Sequence, residues 1–238
     1  MTVSVGLKKM IFKKIRGIFA IVEMAITVSF LIILMYTFKS KTKYFRKRWS
    51  KIQLKILGIE LKVEGIEDPN AQMQVMNHQS VLDIILFEYL SSRNMAWIAK
   101  IEIANLIWFG HIVKAPEMIL VERESKKSLI KLLKDSKEKI SQNRPIGIFP
   151  EGTRSKGNEL LKFKAGARII AEKYDLTVQP VVIIGSKKIF DSQKITQESG
   201  LVKVIYLPSV KADKSTSWYK DMENSMKETL EQEFKNDI

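Results

Sequence analysis

From residue 59 onward, short apolar runs alternate with longer amphipathic ones. The short runs cover 59–64, 72–76, 94–99, 118–122, 145–149, 178–184 and 201–207. They are bounded by polar residues, and their length and content predict strands. Between them, 80–91, 125–142, 160–174 and 216–235 read as helices. In 125–142, Leu129, Leu132, Leu133, Ser136 and Ile140 fall on one face, with lysines opposite. The alternation predicts an α/β fold, a mixed β-sheet covered by helices, over residues 59–238.

The first 58 residues follow a different rule. Residues 18–38 form an apolar run interrupted by Glu23, Thr27, Ser29 and Thr37. About 20 such residues suffice to cross a bilayer. Residues 43–57 follow as a short amphipathic helix ending at Gly58, with Trp49, Ile52, Leu54, Ile56 and Leu57 available for a membrane boundary or for the catalytic domain. We therefore expect a hydrophobic, membrane-anchoring helical segment at 1–58. The apolar run can span the bilayer, lie re-entrant or interfacial, or be a buried core helix. Basic residues on both flanks make the last the weakest of the three and leave the positive-inside rule nearly silent on orientation.

Charge sharpens this division. The chain carries a net charge of +14. Residues 1–58 hold 13 Lys or Arg and the single acid Glu23, hence +12; the rest hold 27 basic and 25 acidic residues, hence +2. Positive charge gathered beside an apolar helix suits anionic lipid head groups. No zinc finger or basic-region pattern accompanies it, so nucleic acid is not the expected partner. The chain has no cysteine and two histidines, His78 and His111, which leaves no thiolate or histidine cluster for a metal. His111 has no partner nearby in sequence and reads as structural or surface.

The chemistry gathers in two stretches. Asn77-His78-Gln79-Ser80-Val81-Leu82-Asp83 follows a strand candidate and opens a helix candidate. A histidine five residues before an aspartate can form a base held by a carboxylate, with the acid in the first helical turn, where the dipole favours it. No cysteine and no GxSxG elbow supplies a nucleophile. A hydroxyl on the substrate is then the economical choice. The second stretch, Phe149-Pro150-Glu151-Gly152-Thr153-Arg154-Ser155, begins after the strand candidate at 145–149, and its Glu151 stands 73 residues beyond His78 (151 − 78). Gly152 allows close backbone approach, and Arg154 offers a planar fork for phosphate.

NHxxxxD followed by FPEGTRS resembles the glycerolipid acyltransferase family, most closely its bacterial lysophosphatidic acid acyltransferases, over roughly residues 60–210. Lys100, Glu102, Gly110 and Arg123 fall on the spacing of that family's middle element, and Val178-Gln179-Pro180-Val181 matches its last. Ile107 stands where the family usually has proline, and Glu117 where it usually has glycine. The resemblance implies that His78 is the general base and Asp83 orients it. It places Glu151, Gly152, Thr153 and Arg154 in the acceptor-binding segment, with Lys100 and Arg123 as further substrate contacts. On our reading Glu151 accepts from a glycerol hydroxyl or holds Arg154.

It also implies transfer of a fatty acyl group from an acyl thioester, carried by coenzyme A or acyl carrier protein, to the sn-2 hydroxyl of 1-acyl-sn-glycerol 3-phosphate, giving phosphatidic acid. No cofactor or metal is expected, and the expected location is the cytoplasmic face of a bacterial inner membrane. Other readings stay open: a different lyso-lipid or glycerol 3-phosphate as acceptor, a thioester hydrolase, or an inactive lipid-binding protein.

Overall fold

The computed structural model describes residues 2–122 and 126–236. Its helices are α1 (Thr2–Thr37), α2 (Thr42–Ile56), α3 (Leu82–Leu90), α4 (Ile101–Ala104), α5 (His111–Lys114), α6 (Lys126–Ser141), α7 (Ala165–Lys173), α8 (Ser186–Ile189) and α9 (Trp218–Asn236). Its strands are β1 (Ile59–Glu64), β2 (Met73–Met76), β3 (Ala96–Lys100), β4 (Ile119–Val121), β5 (Ile146–Ile148), β6 (Thr177–Ile184), β7 (Phe190–Asp191), β8 (Thr196–Gln197), β9 (Gly200–Tyr206) and β10 (Val210–Lys211). The expected mixed sheet covered by helices is present. The main sheet runs β1-β9-β6-β2-β5-β3-β4, with β10 also on β6.

The centre of the sheet sets the position of everything that follows. β6, β2, β5, β3 and β4 are mutually parallel. Their C-terminal ends therefore lie along one edge, where open α/β sheets place ligands. β2 is buried at all four residues, the polar Gln74 among them, and β5 at all three, as strands covered on both faces must be. Pro180 sits within β6 although it lacks an N–H. It falls between the residues paired with β10 (177–178) and those paired with β9 (181–184), where a missing donor breaks no rung of the ladder.

One apolar cluster joins the sheet to α6, α7 and α9 through residues such as Met73, Val75, Leu132, Ile170 and Met226. On the other face Leu82, Leu86, Phe87, Val181 and Val204 pack with Ala20 of α1 and Leu54 of α2. The N-terminal helices thus complete the core as well as preceding it. A third, smaller cluster centres on Leu31, Ile32 and Met35 against Phe45 and Trp49.

α1 is docked along most of its length. Lys13 pairs with Glu198 at 2.5 Å, and Arg16 donates to Gln197 and Ser199 at 2.7 and 2.8 Å. Gln53 donates to Glu23, Trp49 to Thr27 and Trp108 to Ser29. The Tyr36 hydroxyl meets His111 Nδ1 at 2.6 Å, so His111 has a structural partner 75 residues away. Gly17 lies so close to the β7–β8 turn that a Cβ would stand 2.3 Å from the Ile195 carbonyl oxygen.

Three features depart from the sequence reading. The helix expected at 160–174 begins at Ala165. Before it, Leu161 N–H goes to Glu151, Phe163 N–H to Glu223 and Lys164 N–H to Pro150 O, so these donors are used outside a helix. The short α4, α5 and α8 and the β7–β8 hairpin carry no periodic signal, being four residues or fewer per element. Glu117 adopts φ +52°, a left-handed conformation natural to glycine and costing other residues about 1–2 kcal/mol. That explains the glycine usual there; here Lys139 pairs with the glutamate at 3.2 Å.

Candidate active site

β2 delivers Asn77 and His78 to the C-terminal edge of the sheet, β5 delivers Phe149 to Arg154, β6 delivers Gly185 and Ser186, and β3 delivers Lys100. Strands that are neighbours in space thereby bring together loops that are distant in sequence. The Asn77 side chain locks the first loop to β6: its Nδ2 donates to Ile183 O at 2.8 Å, and Ile183 N–H donates to its Oδ1 at 2.7 Å.

His78 and Asp83 meet as expected. His78 Nδ1 lies 2.8 Å from Asp83 Oδ2. The same oxygen accepts the backbone N–H groups of Gln79 and Ser80 at 2.7 and 2.8 Å, and Ser186 Oγ donates to Oδ1 at 2.5 Å. Asp83 is fully buried, and this ring of donors is what a buried carboxylate requires. The acceptor at Nδ1 assigns the proton to that nitrogen, leaving Nε2 as the basic one. The imidazole stacks on Phe149 at 4.0 Å between centroids, and Phe149 stacks on Trp97 at 5.5 Å. The ring is therefore held on one face and along one edge, with 17% of the side chain open to solvent. Among the described residues no hydroxyl hydrogen-bonds the His78 ring. The arrangement can take a proton from a group brought in from outside.

Glu151 is where the two motifs become one structure. Its Oε1 accepts His78 N–H at 2.6 Å and its Oε2 accepts Leu161 N–H at 2.8 Å. Ser155 N–H returns to His78 O at 2.8 Å. Burial pushes the Glu151 carboxyl up to about 7, against the pull of the two backbone N–H groups, with the Asp83 charge adding to the rise. The expected contacts with a glycerol hydroxyl or Arg154 are replaced by these backbone bonds: both oxygens face inward, and only 2% of the residue is exposed.

Gly152 has φ +68° and donates to Phe149 O, closing a turn that a side chain would strain. The turn leaves Thr153 and Arg154 exposed. Arg154 Nη1 donates to Ser192 Oγ at 2.6 Å, in the turn between β7 and β8. Lys100 stands half-buried at the end of β3, on the same sheet edge. Arg123 lies outside the described residues. Sequence reasoning missed Ser186, Gln79 as a link to Gly157 O, and the Phe149–Trp97 stack. A Gly-Ser pair closing a long apolar strand was the available signal for Ser186.

Asp83→Asn is expected to lower the single-turnover rate by roughly a hundredfold or more, because a neutral amide no longer steadies the imidazolium. A rate equal to wild type would reduce Asp83 to a cap for α3.

Residues 60–184 match the sequence model of the family described as Acyltransferase. The chain is 40% identical to a 1-acyl-sn-glycerol-3-phosphate acyltransferase of Helicobacter pylori, over 89% of this chain and 91% of the relative. It is 29% identical to the chloroplastic acyltransferase LPAT1 of Arabidopsis thaliana, over 82% of this chain and 59% of that one. The fold resembles the crystal structure of the 1-acyl-sn-glycerophosphate acyltransferase PlsC of Thermotoga maritima, with a TM-score of 0.72 at 22% identity, covering 94% of this chain and 97% of that one. With its motifs assembled on one sheet edge and a relative of 40% identity along nearly its whole length, the chain belongs to the acyltransferase family.

Proposed function

We propose that the protein transfers a fatty acyl group from an acyl thioester to the sn-2 hydroxyl of 1-acyl-sn-glycerol 3-phosphate, forming phosphatidic acid. The observation that carries this is the His78–Asp83 pair, with Nε2 basic and no protein hydroxyl on the ring among the described residues. The acceptor hydroxyl gives its proton to Nε2 as its oxygen attacks the thioester carbonyl. The tetrahedral intermediate collapses with cleavage of the C–S bond, and the imidazolium returns the proton to the departing thiolate. The products are an ester and a free thiol. No acyl-enzyme and no cofactor enters this scheme. The 1-acyl-sn-glycerol-3-phosphate acyltransferases among its relatives support this acceptor.

The test is a panel of acceptors with purified enzyme, read by mass spectrometry: lysophosphatidate, glycerol 3-phosphate, other lysophospholipids and water. Lysophosphatidate should be acylated fastest. Preference for glycerol 3-phosphate, or release of free fatty acid as the main product, would refute the assignment.

Arg154 is proposed to hold the acceptor phosphate, with Lys100 and Arg123 as further contacts. Arg154→Lys exchanges a bidentate fork for a point charge. The KM for lysophosphatidate is expected to rise roughly tenfold, about 1.4 kcal/mol. An unchanged KM would move the phosphate elsewhere.

We propose further that the enzyme works on a membrane, from the cytoplasmic face, with α1 lying in the interface. α1 is long and apolar enough to cross a bilayer. Its docking contacts, however, run from Lys13 to Tyr36, about 35 Å at 1.5 Å per residue. A spanning placement would drag the catalytic domain into the hydrocarbon. Facing away from the protein are Phe19, Ile26 and Phe30, each more than 60% exposed, together with Ile11, Ile15 and Ile33. The exposed Leu106, Ile107 and Trp108 extend this surface, Trp108 being bonded to Ser29. Arg48, Lys51 and Lys55 of α2 are exposed for anionic head groups.

Removing residues 1–58 would uncover core residues, so the anchor is tested on the whole chain. Screening shortens from about 8 Å at physiological ionic strength to about 3 Å in 1 M salt. The protein should stay on anionic vesicles in 1 M salt and leave with detergent. Complete release by salt alone would mean that the apolar face of α1 is not inserted.

A further inference from the structure

Trp97 is the far member of the aromatic stack behind the base, and the acyl-transfer scheme gives it no task. The three rings come from three neighbouring strands: His78 follows β2, Phe149 follows β5 and Trp97 stands in β3. Strands in a sheet lie about 4.8 Å apart. The ring centroids are 4.0 and 5.5 Å apart, with interplanar angles of 17° and 10°. The sheet thereby delivers the rings at stacking distance.

The backbone makes room for this arrangement. Trp97 stands opposite Gly147 in the β3–β5 ladder. A Cβ at Gly147 would lie 2.7 Å from the indole Cε3 and 2.9 Å from Cζ3, so the indole crosses β5 over bare backbone. Phe149 is two residues further on, which returns it to the same face of the strand.

The indole is also held at its polar end. Trp97 Nε1 donates to Glu88 Oε1 of α3 at 2.7 Å. The same oxygen accepts Arg46 Nη1 of α2, and Arg46 Nη2 donates to Asn94 Oδ1. Trp97 and Arg46 are both buried. Phe87 meets the indole edge-on, at 6.2 Å between centroids and 89°. A buried ion pair is a poor source of stability, because apolar side chains of like volume often do as well. A carboxylate fixed by an arginine does, however, set the direction of an N–H.

We propose that Trp97, braced by the Arg46–Glu88 pair, is a positioning residue for the base: through Phe149 it holds the His78 imidazole in the plane that aims Nε2 at the acceptor hydroxyl. This rests on His78 being the base, as proposed above. The bond from Nδ1 to Asp83 fixes one edge of the ring and leaves it free to swing about that line. A stacked face removes the swing, and Phe149 supplies a fixed face because Trp97 backs it. A misplacement of about 1 Å at a reacting group costs on the order of a hundredfold in rate. The Phe149 face also favours the imidazolium that forms as His78 takes its proton.

The test compares full-length wild type in detergent micelles with Trp97→Leu, Trp97→Phe and the paired variant Arg46→Met/Glu88→Leu. Leucine fills space and offers no ring face. Phenylalanine keeps a face and loses the N–H. The paired variant removes the brace without leaving a lone buried charge. In Trp97→Leu, kcat should fall by about tenfold or more. In the other two it should fall about fivefold, with the KM values for lysophosphatidate and thioester within about twofold of wild type. Val204→Ala opens a cavity in the same apolar cluster, away from the stack, and should lower thermal stability without changing kcat.

The chain has two histidines, so nitrogen-15 histidine labelling reports on His78 directly, with His111→Gln to assign it. At pH 8 the wild type should show His78 protonated at Nδ1 alone. In Trp97→Leu its two nitrogens should move toward the averaged values of mixed tautomers. A kcat within about twofold of wild type in Trp97→Leu would overturn the proposal, as would the same result in both other variants where leucine prevents folding. A loss confined to KM would do so too. A fall in kcat with the His78 nitrogens unchanged, or matched by Val204→Ala, would reduce Trp97 to packing. The nitrogen signals need no substrate. Their change in Trp97→Leu supports the positioning even if lysophosphatidate proves not to be the acceptor, so the two readings fail separately.

Discussion

His78→Ala is expected to reduce acyl transfer by at least the hundred- to ten-thousand-fold that general base catalysis supplies, while the protein remains folded and bound to vesicles. The ring is partly exposed and lies above the sheet edge, and its loop is held by bonds that do not involve the imidazole: Asn77 to β6, Glu151 to the His78 N–H, and Ser155 to the His78 carbonyl. Loss of the ring leaves Asp83 buried with three remaining donors. The effect should therefore fall on turnover, with thermal melting changed little. Single-turnover mixing of enzyme, thioester and lysophosphatidate measures it. A variant that transfers acyl groups at the wild-type rate would remove His78 from the chemistry.

Glu151→Ala should have a large effect of a different kind. It leaves the His78 and Leu161 N–H groups without acceptors, at about 1–3 kcal/mol each when buried, and unties the base from the second motif. Both stability and turnover should fall. Glu151→Gln keeps one acceptor and sets an amide N–H against Leu161, so its loss should be intermediate.

The carboxyl adds a pH signature. Burial raises it from 4.5 to about 7 in the folded protein, so folding retains a proton that the unfolded chain would release. Its contribution to stability is full below pH 4.5, declines as pH rises to about 7, and is flat above that. The span is on the order of 3 kcal/mol. Urea denaturation of wild type and Glu151→Gln at pH 5 and pH 8 checks it. The wild type should lose ground to the glutamine variant as pH rises, and parallel behaviour at the two values would contradict the raised carboxyl.

Much of this was legible in the chain. Strands β2 to β6 and β9 announce themselves as mostly apolar runs bounded by polar residues, and β1 as an alternation of apolar and charged residues, Ile59-Glu60-Leu61-Lys62-Val63-Glu64. His78 and Asp83 are readable because five residues span one loop and one helical turn. What stayed hidden depends on pairing between distant segments. Glu151 looks like a surface acid beside an arginine until β5 is set next to β2, which turns its carboxylate onto the His78 backbone. Ser186 becomes a partner of Asp83 only because β6 flanks β2 on the other side. The apolar run at 18–38 is equally ambiguous alone. Its placement follows from Arg16, Glu23, Thr27 and Ser29 finding partners up to 183 residues away, which no local pattern encodes.

The central claim is that the acceptor hydroxyl attacks the thioester directly, with His78 as base. It is tested most directly by mixing enzyme with excess acyl thioester, first without and then with lysophosphatidate, and recording intact protein mass and products together. Direct transfer predicts unmodified protein throughout, with phosphatidate and free thiol appearing in equal amounts once the acceptor is added. Protein carrying one acyl group before acceptor is added, and losing it to lysophosphatidate at the rate of turnover, would contradict the account.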